Sequence, residues 1–281
     1  MEDIIKMIDT QNEVKTLKTS IIDEANRLGA NIIGFAPVER WSEFQDTTPD
    51  FFPQNIWPEV KTVIVLALQI YLPMLETTPS VVYSELYNTT NRLLDDMAYK
   101  LANYLNKKGH KAFFFPRDCY GDISVLIKKP QAAFSHVLAG KYAGLGTIGC
   151  NHTLITKEFG PRVRLVSVLT DAAISPDKMY EKQFCVKCNL CKKCCPMEAF
   201  TLNEDSIFKM NKVKCAKYHQ QLKNSYKYPC GVCTKVCPVG EDRKIYGMDA
   251  NKYLKEADIL SQNKDTSEYS GWIHCRSYGS D

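Results

Sequence analysis

The sequence predicts an α+β protein in which a mixed α/β domain is followed by a small cysteine-rich module. Strand and helix patterns alternate up to about residue 175, as they do in layered α/β and α+β domains. Periodicity then becomes poor, and nine of the twelve cysteines fall between Cys185 and Cys237. A chain of 281 residues is long enough to hold both parts.

The first elements of the α/β domain follow from apolar spacing. Apolar residues three and four apart predict a helix over residues 12–29, ending at Gly29. The segment NIIGFAP (31–37) predicts a short strand. The segment KTVIVLAL (61–68) is an unbroken β-branched run, which is typical of a strand that is buried on both faces.

The remaining elements of this domain follow in the same alternating order. A helical pattern covers residues 83–108, and KAFFFP (111–116) predicts another strand. We expect a helix across residues 130–141, a glycine-rich turn over 143–151 and a last strand over 163–170.

The chain divides into three predicted segments. Residues 1–176 form the α/β domain and residues 177–245 form the cysteine-rich module. Residues 246–281, with a helix at 252–260, form a C-terminal helix and tail that pack back on the core.

Composition and charge exclude several classes of protein. Hydrophobic residues make up 44% of the chain and charged residues 24%, which are ordinary values for a globular protein. No apolar run approaches the roughly 20 residues of a membrane helix. The N-terminus carries no export signal pattern. A net charge of +4 is too weak to argue for nucleic acid. We therefore predict a cytoplasmic protein, where clustered cysteines usually hold metal rather than disulfides.

The cysteine spacing indicates iron–sulfur clusters. The first motif has cysteines separated by two, two and three residues and then a proline, the run of bacterial two-cluster ferredoxins; its members are Cys185, Cys188, Cys191 and Cys195. The second motif repeats this run without its leading cysteine; its members are Cys230, Cys233 and Cys237. Cys215 can supply the missing thiolate.

In such runs the fourth cysteine binds the cluster of the other motif. We therefore predict two [4Fe–4S] clusters with crossed ligands. One is held by Cys185, Cys188, Cys191 and Cys237, and the other by Cys195, Cys215, Cys230 and Cys233. Paired C-x2-C elements also build zinc sites, but zinc explains neither the third cysteine at this spacing nor the Cys-Pro ending. Cys194 breaks the pattern, so it is a free thiol or an alternative ligand.

The order of three motifs resembles a known superfamily. AGLGTIG (143–149) is followed by LITKEFGPRVRLVSVLTD (154–171) and then by the two cysteine motifs. This order, over roughly residues 10–250, resembles the epoxyqueuosine reductases and reductive dehalogenases. The resemblance implies a nitroreductase-like domain over 1–176 that binds base-off cobalamin, and a ferredoxin module that passes electrons to the cobalt. It places near the corrin Ala143, Gly144, Leu145, Gly146, Thr147 and Gly149. From the residues alone, such a glycine-rich stretch is also typical of a purely structural turn.

The expected proton donor of epoxyqueuosine reductases is replaced in this chain. The acidic residue that this family carries about thirteen positions before the AGLG alanine corresponds to Pro130 here. The loop after the strand 111–116 offers other acids, because loops at strand ends often carry reactive groups. The candidate catalytic residues are Asp118, Tyr120 and Asp122.

The resulting hypothesis is an oxidoreductase that cleaves a carbon–oxygen or carbon–halogen bond reductively. Its electron donor would be a ferredoxin or flavodoxin, and its substrate a small molecule or a modified nucleoside. The lysine excess between residues 182 and 237 could attract an acidic donor or could be only a solvated face. Three alternatives stay open: an electron-transfer protein that serves another corrinoid or redox partner, a flavin enzyme, and a zinc-stabilised nucleic-acid binder.

Overall fold

The computed structural model describes residues 16–118, 120–202, 208–261 and 275. Its strands form one four-stranded antiparallel sheet, in the order β1-β2-β6-β3, and two small hairpins, β4-β5 and β7-β8. The strands are β1 (Ile32–Pro37), β2 (Thr62–Gln69), β3 (Ala112–Phe115), β4 (Thr147–Ile148), β5 (Leu154–Ile155), β6 (Val163–Thr170), β7 (Phe200–Leu202) and β8 (Phe208–Met210).

The helices lie on both faces of the sheet and throughout the cysteine-rich segment. They are α1 (16–28), α2 (Glu39–Phe44), α3 (Pro53–Ile56), α4 (Leu72–Leu75), α5 (Val81–Lys107), α6 (Ile123–Lys128), α7 (His136–Tyr142), α8 (Leu190–Lys193), α9 (Lys212–Asn224), α10 (Val232–Lys235), α11 (Asp242–Tyr246) and α12 (Ala250–Ser261). Residues Pro49–Phe51 form a 3-10 turn.

The sheet is the middle layer of three. Residues 62–68 of β2 are all buried, so this strand is covered on both faces as its sequence predicts. Helices α1 and α5 cover one face through residues such as Ile21 and Leu101. Helix α7, which ends at Tyr142, covers the other face together with Trp41. The expected strands at 31–37, 61–68, 111–116 and 163–170 are present, and the mixed α/β class is confirmed.

The predicted helix across residues 130–141 is wrong in its first half. Helix α7 begins only at His136, where the hydroxyl of Ser135 accepts a hydrogen bond from the Leu138 backbone N–H at 3.3 Å. Proline has no N–H to donate, and the residue before it avoids helical angles. Lys129, which precedes Pro130, is accordingly extended.

The segment after residue 182 contains short helices and one hairpin rather than a large core. Apolar contacts there are few; Leu190, Val236 and Tyr253 form one small cluster. Most of the predicted tail, residues 262–281 without Cys275, lies outside the described residues. Within the described ranges, no helix is both long and apolar enough to cross a bilayer.

Candidate functional site

The two cysteine motifs have the same local backbone. In each, one residue with a left-handed backbone directly follows a cysteine and precedes a short helix: Asn189, with φ 66°, follows Cys188 and precedes α8, and Gly231, with φ 67°, follows Cys230 and precedes α10. Each four-residue helix carries a cysteine at its second position, and α8 packs against α10. The repeated spacing in the sequence is therefore repeated in the structure.

The first group of thiols gathers from both motifs. Five cysteines line one small cavity: Cys150 and the four members of this group, which are Cys185, Cys188, Cys191 and Cys237. Burial, and then the nearby Cys150 and Cys188 thiols, raise the pKa of Cys191 to about 12. Cys188 is exposed, so this group reaches the surface.

The second group also gathers from both motifs, and it lies deeper. Burial raises the pKa of Cys215, on α9, to about 11, with a further contribution from Cys195. Burial likewise raises the pKa of Cys230 to about 12, with contributions from Cys215 and Cys195. Burial raises the pKa of Cys233 well above its ordinary value, and the other three thiols add to this.

Each of the two groups has the four thiols that a four-iron cluster would need. Among the described residues, no three His, Cys, Asp or Glu side chains converge closely enough to hold one metal ion. The four thiolates of a cubane bind four different irons, so they lie farther apart than the ligands of one zinc ion. A thiol with a raised pKa keeps its proton at neutral pH and loses it on binding iron.

Cys194 points away from both groups. It ends α8, and its Sγ lies 3.8 Å from the backbone oxygen of Tyr253. It packs among Leu190, Val236 and Tyr253.

The glycine-rich loop packs against the chain itself. A Cβ on Gly144, whose φ is 72°, would lie 2.5 Å from the carbonyl oxygen of Lys178, and a Cβ on Gly146 would overlap the carbonyl oxygen of Ile155. The hydroxyl of Thr147 accepts a hydrogen bond from the Phe184 backbone N–H at 3.0 Å. The loop therefore fixes the chain immediately before Cys185, and these chain contacts alone require both glycines.

The three candidate catalytic residues lie in two different environments. Asp122 caps α6 by accepting from the Ser124 N–H at 2.8 Å, and it pairs with Lys223. These hydrogen bonds hold the pKa of Asp122 well below its usual range. Its carboxyl group is therefore ionised at neutral pH, which disfavours a role as proton donor.

Asp118 and Tyr120 belong to a half-buried polar cluster. The Asp118 carboxylate accepts from Arg164 at 3.0 Å, from the Tyr87 hydroxyl at 3.1 Å and from Asn91 at 3.2 Å. The Tyr120 and Tyr228 hydroxyls lie 2.6 Å apart. Burial raises the pKa of Tyr120 far above its ordinary value, so this phenol keeps its proton. Cys119 lies outside the described residues.

The polar cluster borders the second cysteine group through Tyr83. Burial raises the pKa of Tyr83, and Cys230 and Cys233 contribute to the shift. A Cβ on Gly231 would lie 2.6 Å from the Tyr83 ring. The deeper cysteines and the polar cluster are thus neighbours.

Comparisons with known proteins identify two groups of relatives. A tetrachloroethene reductive dehalogenase of Desulfitobacterium hafniense is 32% identical over 183 residues, which are 63% of this chain and 28% of the relative. An epoxyqueuosine reductase of Bacillus cereus is 26% identical over 279 residues, covering 86% of this chain and 68% of the relative. The chain is thus similar both to reductive dehalogenases and to epoxyqueuosine reductases.

Solved structures of both groups share the fold. A catabolic reductive dehalogenase in complex with 3-bromo-4-hydroxybenzoic acid has a TM-score of 0.61 and 20% identity, covering 85% of this chain and 34% of that chain. An epoxyqueuosine reductase with a modified tRNA stem loop has a TM-score of 0.58 and 17% identity, covering 95% and 78%. No family model matches the sequence. The chain spans 28% of the length of the dehalogenase relatives named first.

Several positioning residues were not predicted from the sequence. Arg162 is fully buried, binds Asp242 in a bidentate ion pair and donates to the carbonyl oxygen of Cys237 at 3.0 Å. Arg164 organises the polar cluster, and Cys150 lies beside Cys185. Arg162 and Arg164 stand in the PRVRL segment (161–165), and Cys150 precedes it. The only sequence signal was that charged residues stand at the start of a buried strand.

Proposed function

We propose that the chain is an iron–sulfur oxidoreductase that takes electrons through two [4Fe–4S] clusters to a cobalamin and uses them in a reductive cleavage. The observation that carries the proposal is the gathering of eight cysteines into two groups of four, each drawing a member from the other motif. The relatives are named reductases, and one solved neighbour with a TM-score of 0.60 is described in terms of B12-dependent dehalogenation.

When bound, the clusters supply single electrons and the corrinoid supplies the reducing centre for the bond to be cleaved. The chain's own part is to hold the clusters in order. Cys188 of the first group is exposed, whereas Cys230 and Cys233 of the second are buried next to Tyr83. With clusters bound, the first group would therefore be the entry point for electrons, and the second group would pass them on.

The electron donor is proposed to be an acidic protein of the ferredoxin or flavodoxin kind. Lys182, Lys187 and Lys193 are exposed around the first cysteine group, and opposite charge accelerates docking. A donor bound there would face the exposed Cys188. Reduction of the chain by such a donor should slow as ionic strength rises, because salt screens this attraction.

Tyr120 is the proposed proton donor among the three candidates. It keeps its proton at neutral pH, and its hydroxyl is hydrogen-bonded to Tyr228, which can return a proton. Asp118 instead forms an ion pair with Arg164, and both residues hydrogen-bond to the Tyr87 hydroxyl and orient it.

The proposed substrate class is an organohalide or an epoxide such as a modified nucleoside. The contact of residues 143–149 with a corrin stays a prediction.

The proposal is tested by anaerobic purification and cluster reconstitution. We expect about eight irons per chain, two cluster signals in electron paramagnetic resonance, and uptake of base-off cobalamin in the visible spectrum. Organohalides and epoxides are then screened for turnover by the loaded protein. Tyr120→Phe should lower single-turnover rates about 100-fold or more, within the range of general acid catalysis, whereas the exposed Tyr99→Phe should not.

Two results would redirect the proposal. Iron uptake without cobalamin uptake, together with reduction of another protein's corrinoid, would assign the chain to electron transfer alone. A protein that binds zinc instead of iron would overturn both readings.

A further inference from the structure

Cys150 is a ninth thiol at the two cysteine groups, and the ligand assignment leaves it without a role. It follows β4 and lies about 35 residues before the first cysteine motif. Nevertheless it lines the same cavity as the first group, which consists of Cys185, Cys188, Cys191 and Cys237.

The Cys150 and Cys185 side chains line the same cavity, and after burial the nearby Cys185 thiol is the main cause that raises the pKa of Cys150. Its loop is fixed on both sides. The Gly149 N–H donates to the Thr153 carbonyl at 3.0 Å, and the Asn151 amide donates to the Cys233 carbonyl at 3.5 Å. These two hydrogen bonds fix the position of the loop, so the fold itself places Cys150 beside Cys185.

We propose that Cys150 donates a hydrogen bond to the Cys185 sulfur when that sulfur binds the first cluster, and that this bond raises the cluster's reduction potential. Reduction adds one negative charge to the cluster and its sulfurs. A donor at a ligand sulfur stabilises the more negative state more strongly, so the potential rises. Cys150 is a positioning residue here and not a ligand, because the first group already supplies four thiolates. The inference rests on the proposed function only in that the first group binds a cluster.

The test is a redox titration of the reconstituted holoprotein, followed by electron paramagnetic resonance. The signal that is lost in Cys188→Ala identifies the first cluster. Cys150→Ala should move the midpoint potential of that cluster to a more negative value and leave the second cluster unchanged. Cys150→Ser keeps a donor and should stay closer to the parental potential. Cys194→Ala is the matched control, because it removes a thiol that faces Tyr253 instead of the cavity.

Each outcome decides the matter. An unshifted first-cluster potential in Cys150→Ala overturns the inference. Loss of about half the iron in that variant also overturns it, since Cys150 would then be a ligand. A parent protein without iron defeats the proposed function and this inference together, whereas an iron-loaded parent with an unshifted variant defeats the inference alone.

Discussion

At the scale of single residues, Arg162 connects the sheet with the second cysteine motif. Its guanidinium is fully buried at the start of β6, it forms a bidentate pair with Asp242, and it donates to the carbonyl oxygens of Cys237 and Val239. Five donors in a planar fork can satisfy all these acceptors, which a lysine cannot do.

Removing one partner of a buried ion pair leaves an uncompensated charge. We expect Arg162→Ala or Asp242→Asn to lower the free energy of unfolding by about 3–5 kcal/mol. Anaerobic urea denaturation measures this, with Arg27→Ala, which breaks only a surface pair, as the control. A variant as stable as the parent would show that the pair does not hold the cysteine loop.

His136 is one residue whose titration should affect stability. Its Nε2–H donates to the Pro116 carbonyl at 3.0 Å, so Nδ1 accepts from the Ser167 hydroxyl at 2.9 Å. Burial lowers the pKa of His136 to about 4. Between pH 6.5 and 4 the unfolded chain therefore binds a proton that the folded chain does not, and stability falls as the pH falls.

The loss from His136 should approach about 1.4 kcal/mol per pH unit in that window. Unfolding midpoints at pH 7 and pH 5 measure it, and His136→Gln should show a smaller difference between them. An equal difference in parent and variant would remove His136 from the acid sensitivity.

The residues differ in how far the sequence could predict them. The cysteines follow from fixed spacing, because cluster geometry imposes that spacing on any chain. Arg164 and His136 act through partners on distant elements, such as Asn91 on α5 and Ser167 on β6. The spacing of residues in one sequence does not reveal contacts between distant elements.

At the scale of elements, the turn between α7 and β4 is set by close backbone approach. Gly146 lies against the carbonyl oxygen of Ile155 on β5, and no side chain fits between them. The strands were predictable from their apolar runs because β2 is buried from Thr62 to Leu68 and β6 is buried from Leu165 to Thr170. The start of α7 was not predictable from the sequence, because the pattern of apolar residues does not show which residue will cap a helix.

Gly146→Val should therefore unfold the loop and lose cluster content together, instead of affecting only the binding of a cofactor. Iron analysis and denaturation are measured on the same preparations. Gly109→Ala is the matched control: its φ is 86° but nothing lies near its Cβ, so it should cost only about 1–2 kcal/mol and keep its iron. Normal iron content in Gly146→Val, with reduced cobalamin uptake, would instead favour the corrin contact.

At the scale of the whole molecule, the two cysteine groups are interlocked. Cys237 belongs by sequence to the second motif but lies with Cys185 and Cys188, and Cys195 lies with Cys215 and Cys230. The segment buries few apolar side chains, so bound metal would supply much of its stability.

Cys237→Ala should disturb the cluster signal that depends on Cys188, although Cys237 lies in the other motif. Iron content should fall by about half or more, and the fold of residues 185–237 should loosen. Electron paramagnetic resonance and proteolysis measure both effects, with Cys194→Ala as the control. If only the signal that depends on Cys230 changes, the ligands are not crossed.

The burial of Arg162 also constrains how the protein is made. When β6 has left the ribosome, the nascent chain has completed the central sheet, but Asp242 and the carbonyl groups that Arg162 needs are still about 70–80 residues away in sequence. An unpaired guanidinium cannot be buried at low cost, so this edge of the sheet stays open until the cysteine segment has been synthesised and docked. Under the proposed function, iron supply and folding would thereby be coupled, and a cell short of iron should degrade the whole chain and not only its cysteine-rich part.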